Sequence, residues 1–304
     1  MATADAQRNE LGEFFKARRA ELTPAQVGLP QSGAARRVPG LRREEVAHLA
    51  AISTDYYTRV EQGRLQASEP VLSALARALH LDEDQTAYVK GLHGAKRRGR
   101  PQRRPAPRVR PQLQRLLDQL TDSPALVLGR HMDILAWNSL AASLITDFSA
   151  LPPGERNYLR LAFVDPHVRG LFADWETTAR TCVAYLRMDA LQYPDDPRLA
   201  TLVGELSVRD PDFRQWWAAH DVAHKTCGTK KLNHPVAGEL TLDWEILGCA
   251  TDPDQQLMVM TAVPGSAAQE SLRFLASWTG PDNSPPREPS APAADRPGET
   301  HPRP

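Results

Sequence analysis

Between residues 42 and 64 the chain sets guanidinium groups and short hydroxyl side chains at a spacing suited to a nucleic-acid duplex. Arg42, Arg43, Arg59 and Arg64 supply charge for backbone phosphates, contacts that fix register without reading sequence. Ser53, Thr54, Asp55 and Thr58 fall at the start of a short helix, where side chains facing a major groove meet base edges.

Two short helices and one tight turn must position these groups. The first is expected over Arg42–Ala50, with Val46, Leu49 and Ala50 on its apolar face and the small Ala47 where a crossing helix comes close. Ile52 points inward from the turn. Ser53 is a good N-cap, and Asp55 suits the positive end of the following helix. Tyr57 and Val60 face the core at i, i+3 spacing, and Gly63 stops the helix. A plain helical hairpin with solvated arginines is the alternative. Small, apolar and capping residues at so many fixed offsets favour the DNA-reading unit.

Other chemistry is sparse. There is no phosphate-binding glycine loop, no GxSxG elbow and no HExxH, which argues against an enzyme. His220, His224, Cys227 and His234 contain one i, i+4 pair that would suit zinc on a helix, but no CxxC and no firmly spaced fourth ligand, so no metal is expected.

The 304 residues leave room for two domains and tails. Net charge is zero but unevenly spread: residues 1–110 carry 20 Lys and Arg against 12 Asp and Glu, and the remainder 17 against 25. A basic front half meets nucleic acid; an acidic back half would repel it and serves another purpose. No secretory or membrane-spanning run is visible, and three scattered cysteines form no disulfide framework, so a cytoplasmic location is expected.

Five helices are expected within residues 1–93: one over 9–21, the reading pair, one starting at Ser68-Glu69-Pro70, and one opened by an Asp82/Gln85 capping box. Residues 94–110 read as a basic linker. Within it, Arg98-Gly99-Arg100-Pro101 resembles a minor-groove hook, with a plain basic tether as the alternative. Residues 111–280 regain hydrophobicity. A helix there carries Leu113, Leu116, Leu117 and Leu120, and strands are expected at 125–128, 134–136, 239–248 and 256–263 around a mostly helical middle. The tail, 281–304, has eight prolines and reads as disordered.

The strings Leu41-Arg42-Arg43-Glu44-Glu45-Val46-Ala47 and Tyr56-Tyr57-Thr58-Arg59-Val60-Glu61-Gln62-Gly63-Arg64 closely resemble XRE-type helix-turn-helix regulators. Leu135-Ala136-Trp137-Asn138, Asp174-Trp175-Glu176, Phe213-Arg214-Gln215-Trp216-Trp217 and Leu232-Asn233-His234-Pro235 narrow the resemblance to the MmyB-like family, over about residues 9–278. It implies an N-terminal five-helix, lambda-repressor-like domain, then a PAS-like mixed α/β domain around an apolar pocket. It also implies a homodimer on a palindromic operator and a fatty-acid-like or other small apolar ligand; no cofactor is expected. For a carboxylate ligand, Arg160 and Arg187 are the candidate partners and Trp137, Phe163 and Trp216 the candidate walls; structural ion pairs and plain core packing are the alternative. A C-terminal domain that only dimerises or recruits a protein partner also stays open. One departure is Ala51, at a turn position where glycine is usual, which points to a slightly altered turn.

Overall fold

The computed structural model describes residues 2–30, 40–94, 108–250 and 252–278. The linker core 95–107 with its hook-like string, the loop arginines Arg36 and Arg37, and the tail 281–304 lie outside the described residues.

The N-terminal domain comprises α1 (Ala2–Glu21), α2 (Arg43–Leu49), α3 (Thr54–Glu61), α4 (Glu69–Ala78) and α5 (Glu83–Gly94). Their apolar stripes converge on Phe14, Phe15, Val46, Tyr57, Leu75 and Val89. Ser53 Oγ accepts from Tyr56 N at 3.1 Å, and Asp82 and Gln85 exchange side-chain bonds with each other's backbone N–H at 2.8 and 3.2 Å. Gly12 lets α1 cross the end of α3, because a Cβ there would lie 2.3 Å from the Glu61 carbonyl oxygen.

The turn between α2 and α3 is not altered, contrary to expectation. Ala51 adopts φ 54°, with its N–H bonded to the His48 carbonyl and the Ile52 N–H to the Ala47 carbonyl. These two bonds form a Schellman closure, which imposes the left-handed conformation whatever the residue. Ala51 therefore carries strain of about 1 kcal/mol that glycine would not.

The C-terminal domain begins with α6 (Pro111–Gln119), β1 (Ala125–Leu128) and β2 (Ile134–Trp137). Six helices follow: α7 (Ser139–Leu144), α8 (Tyr158–Val164), α9 (Pro166–Leu171), α10 (Trp175–Ala190), α11 (Pro197–Arg209) and α12 (Pro211–Ala218). The chain closes with β3 (Cys227–His234), β4 (Gly238–Gly248), β5 (Gln256–Thr261) and α13 (Ala267–Trp278).

The strand order is β2-β1-β5-β4-β3, and every ladder is antiparallel. The architecture is α+β, which corrects the mixed α/β domain that the resemblance implies. β1–β2 and β3–β4 are hairpins, and the helical excursion between β2 and β3 returns to the opposite edge, so no parallel crossover arises. Alternation along β1 sends Leu126 and Leu128 into the main core beneath the helices, and Ala125 and Val127 to the other face under Leu113 and Leu117 of α6. The β1–β2 turn holds His131 and Met132 at positive φ, with the His131 imidazole 3.0 Å from Asp189 and 3.2 Å from Asp196.

The two domains are docked. Val222 is buried in the N-terminal core cluster, with Met188 and Leu191 packed against it. Arg18 donates to Asp221 at 2.7 Å and to the Ala219 carbonyl at 2.8 Å, and His224 N donates to Asp84 at 2.9 Å. Among the described residues, no helix is long and apolar enough to cross a membrane.

Candidate functional site

Helix α3 buries Tyr57, Val60 and Glu61, which leaves Thr54, Asp55 and Arg59 exposed and Thr58 half-buried on one outward face. Ser53 sits exposed at its N-terminus, and Arg64 follows its end, also exposed. Neither Arg59 nor Arg64 has an ion-pair partner among the described residues, so their charge is open to phosphate. Arg42 is half-buried, its backbone N–H bonded to Glu45 and its guanidinium 3.3 Å from Glu44. Arg43 is exposed but engaged: its Nε donates to Glu61 at 2.8 Å.

Glu61 organises this unit. Its side chain is 1% exposed and also binds Arg19 of α1 at 2.8 and 3.1 Å. Burial alone would raise its pKa, but bonds from Arg19 and Arg43 outweigh that and hold the carboxyl below its ordinary value. The carboxylate thus ties α1, α2 and α3 into one body behind the reading face. Its burial is readable from the i, i+3, i+4 spacing of Tyr57, Val60 and Glu61, a signal the sequence reading did not use.

In the C-terminal domain, Phe163 and Trp216 do come together. Phe163 packs edge-on against Phe213, Trp175 and Trp216, at centroid distances of 5.3, 5.5 and 6.0 Å. Trp137 lies elsewhere in the core, against Phe148 at 5.3 Å and beneath the Arg156 guanidinium. The two candidate arginines already hold protein carboxylates. Arg160 pairs with Glu205 at 3.0 Å and Glu155 at 3.1 Å. Arg187 is buried, stacks on Trp217 at 4.0 Å and binds the Trp217 carbonyl and Glu10 of α1.

Glu10 is therefore a clasp between the domains. Tyr88 of α5 donates to it at 2.7 Å, and His220 Nδ1 lies 3.2 Å away. Burial would raise its pKa, but His220, Arg187 and Tyr88 outweigh burial and bring it down to about 2. Local periodicity carries no sign of this contact, since Glu10 and Arg187 stand 177 positions apart.

A cation was also missed. Lys230 of β3 shares a face with the buried Leu232, and its Nζ donates to Tyr158 Oη at 3.1 Å. Lys230 borders neither of two clefts formed by the described residues. One, of about 30 Å³, is bordered by Arg130, Tyr185, Tyr193 and Asp254 and has room for little more than ordered water. The other, of about 470 Å³, opens between α4 and α5 beside Leu72, Ala76, Leu81 and Val89.

The histidines considered for zinc serve separate purposes. His220 faces Glu10, the His224 ring stacks on Tyr185, and His234 contacts the Ser143 carbonyl while its Nδ1 accepts from the Val236 and Ala237 N–H groups. Residues 220–226 are not helical, and Cys227 begins an edge strand.

Residues 109–275 match the family model described as MmyB-like transcription regulator ligand binding domain, and residues 10–89 match a helix-turn-helix domain model. No curated protein matches the chain.

Proposed function

The chain belongs to the MmyB-like transcription regulators, DNA-binding proteins with a ligand-binding domain, and from that premise we propose a one-component switch of XRE type. A homodimer presents two α3 helices about 34 Å apart to successive major grooves of a palindromic operator. Thr54, Asp55 and Thr58 read base edges, while Arg42, Arg59 and Arg64 hold phosphates. Arg43 chiefly fastens Glu61. The five-stranded sheet with its helical cover acts as a PAS-like sensor, not a catalyst, for a small apolar, fatty-acid-like molecule in the cytoplasm.

The observation that carries this reading is the outward face of α3: capped by Ser53, braced from behind by Glu61, and carrying short polar groups beside unpaired arginines. Coupling follows from the docking. Arg187 links Glu10 of α1 to Trp217, whose ring stacks on Phe213 within the aromatic core. A ligand that repacks this core binds the docked and undocked arrangements with different affinity, the one way a ligand shifts such an equilibrium.

The test is selection of an operator from random duplexes, followed by binding of two variants across a salt series. Arg59→Ala should weaken binding to every duplex and reduce the salt slope by about 1. Thr58→Ala should relax discrimination at particular base pairs by about 1–3 kcal/mol. Wild-type binding by both variants would overturn the assignment of α3.

A further inference from the structure

Helix α5 carries two opposed faces. Asp84, Tyr88 and Gly91 share one side at i, i+4, i+7 spacing. There Asp84 accepts from His224 N, Tyr88 donates to Glu10, and a Cβ on Gly91 would lie 3.0 Å from Leu191 Cδ1. Thr86, Val89, Lys90 and His93 fall about 180° away. They form one wall of the cleft of about 470 Å³, and Glu69, Leu72, Ser73 and Ala76 of α4 form the other. The lining runs from Leu81 and Thr86, beside the α4–α5 turn, to Glu69 and Gly94 at the far end, so the cleft is a groove along the helical hairpin. The ten residues of α4 give it a length of about 15 Å.

The floor is apolar, from Leu72, Ala76, Leu81 and Val89. Arg77 and Lys90 stand exposed on the rim, one on each helix, without an ion-pair partner among the described residues. Glu69, at one end, is the single carboxylate of the lining. His93 Nδ1 is buried beside the groove with no hydrogen-bond partner among the described residues, a costly state unless an arriving group meets it. The chain's remaining segments do not match this surface. Residues 95–107, which continue from Gly94, carry six Lys and Arg and no acid; residues 279–304 contain no Leu, Ile, Val, Phe, Met or Trp; residues 31–39 offer one large aliphatic side chain, Val38. A basic rim over an apolar floor of this length fits about three turns of an amphipathic helix with acidic flanks.

We propose that the α4–α5 groove docks an acidic amphipathic helix of a partner protein. The partner's apolar row lies on Leu72, Ala76, Leu81 and Val89, and its carboxylates pair with Arg77 and Lys90. The C-terminal domain holds the opposite face of α5, so the partner binds without displacing it. No groove residue belongs to α2 or α3, so partner and DNA use different residues.

The experiment follows the fluorescence anisotropy of a labelled, stapled helix of about 15 residues, with Leu at i, i+4 and i+7 and Glu along both flanks, titrated with the full chain. A counterpart carries Lys in place of Glu. Wild type should bind the acidic helix about 5- to 20-fold more tightly than the basic one, the range of two partly exposed ion pairs. Arg77→Glu combined with Lys90→Glu should reverse that preference. Ala76→Trp should fill the floor and weaken both helices by about 10-fold or more. Operator affinity and helical circular dichroism should stay at wild-type values in both variants, which separates a lost surface from a lost fold; if Ala76→Trp does not fold, the exposed charge reversal decides alone. Failure of wild type to bind the acidic helix would overturn the proposal. Equal binding of acidic and basic helices would mark a merely apolar surface and overturn it too. Sedimentation of the full chain tests the other occupant: a lower oligomeric state in the charge-reversed variant would give the groove to a second copy and sink the partner reading. Loss of operator affinity in that variant would assign the rim to DNA phosphates, with the same consequence.

Discussion

Replacing Glu10 by Gln removes the carboxylate on which Arg187, His220 and Tyr88 converge. The Arg187 side chain is 3% exposed and Glu10 35%. Breaking a fully buried pair costs about 3–5 kcal/mol, and the third of Glu10 left in water screens part of that. Glu10→Gln should therefore cost about 2–3 kcal/mol, because it strands a buried guanidinium with only the Trp217 carbonyl and ring. Arg187→Met should cost less, about 1–2 kcal/mol, since Glu10 keeps His220, Tyr88 and water. The double variant should then be milder than the sum of the singles. All six tryptophans lie at position 137 or later, so their fluorescence reports the C-terminal domain alone, whereas helical circular dichroism reports both domains. In wild type the two signals should unfold together in urea; in Glu10→Gln they should separate. The pH dependence has a fixed sign. A carboxyl lowered from 4.5 to about 2 lends its stabilisation above pH 4.5 and loses it as pH falls toward 2, so wild type should show the same separation in that window and Glu10→Gln should not change further there. Coincident curves with an unmoved midpoint in both single variants would refute the clasp.

Two further outcomes are expected. Ala51→Gly relieves a left-handed alanine held by the Schellman closure and should stabilise the N-terminal domain by about 1 kcal/mol in urea denaturation without changing DNA affinity; lower stability would show that the turn is not strained. Burial alone would lower the His131 pKa, but Asp189 and Asp196 outweigh it and raise it above 6.5. The stabilisation is therefore complete below pH 6.5 and lost as pH rises through the raised value, so the fluorescence-monitored midpoint should fall above pH 6.5 in wild type and stay flatter in His131→Gln.

The helix-turn-helix is readable from sequence because its determinants are local: Ser53 caps its own helix, Tyr57 and Val60 share a face three positions apart, and Gly63 ends it. β3 was not foreseen because Cys227-Gly228-Thr229-Lys230-Lys231-Leu232-Asn233-His234 offers one aliphatic residue in eight. An edge strand tolerates such polarity, and its lysines also guard against pairing with another chain. The arginines of the C-terminal domain show a different limit. Arg160 and Arg187 have the right chemistry for a ligand carboxylate, but Glu205 and Glu10 reach them from 45 and 177 positions away, beyond any periodic signal. Lys230 looks like a solvated strand lysine until the topology sets Tyr158, Phe172 and Trp244 around it.

The seat of Val222 in the N-terminal core bears on how such regulators are recombined by engineers. A chimera cut at residues 95–107 would transplant the reading helices but leave behind Val222, Met188, Leu191 and Arg187, which complete the surface of α1 and α5. The graft would expose an apolar patch and an unclasped Glu10. A biosensor built from this chain needs its junction drawn in three dimensions, with the 217–224 segment and the end of α10 carried along with the DNA-reading domain.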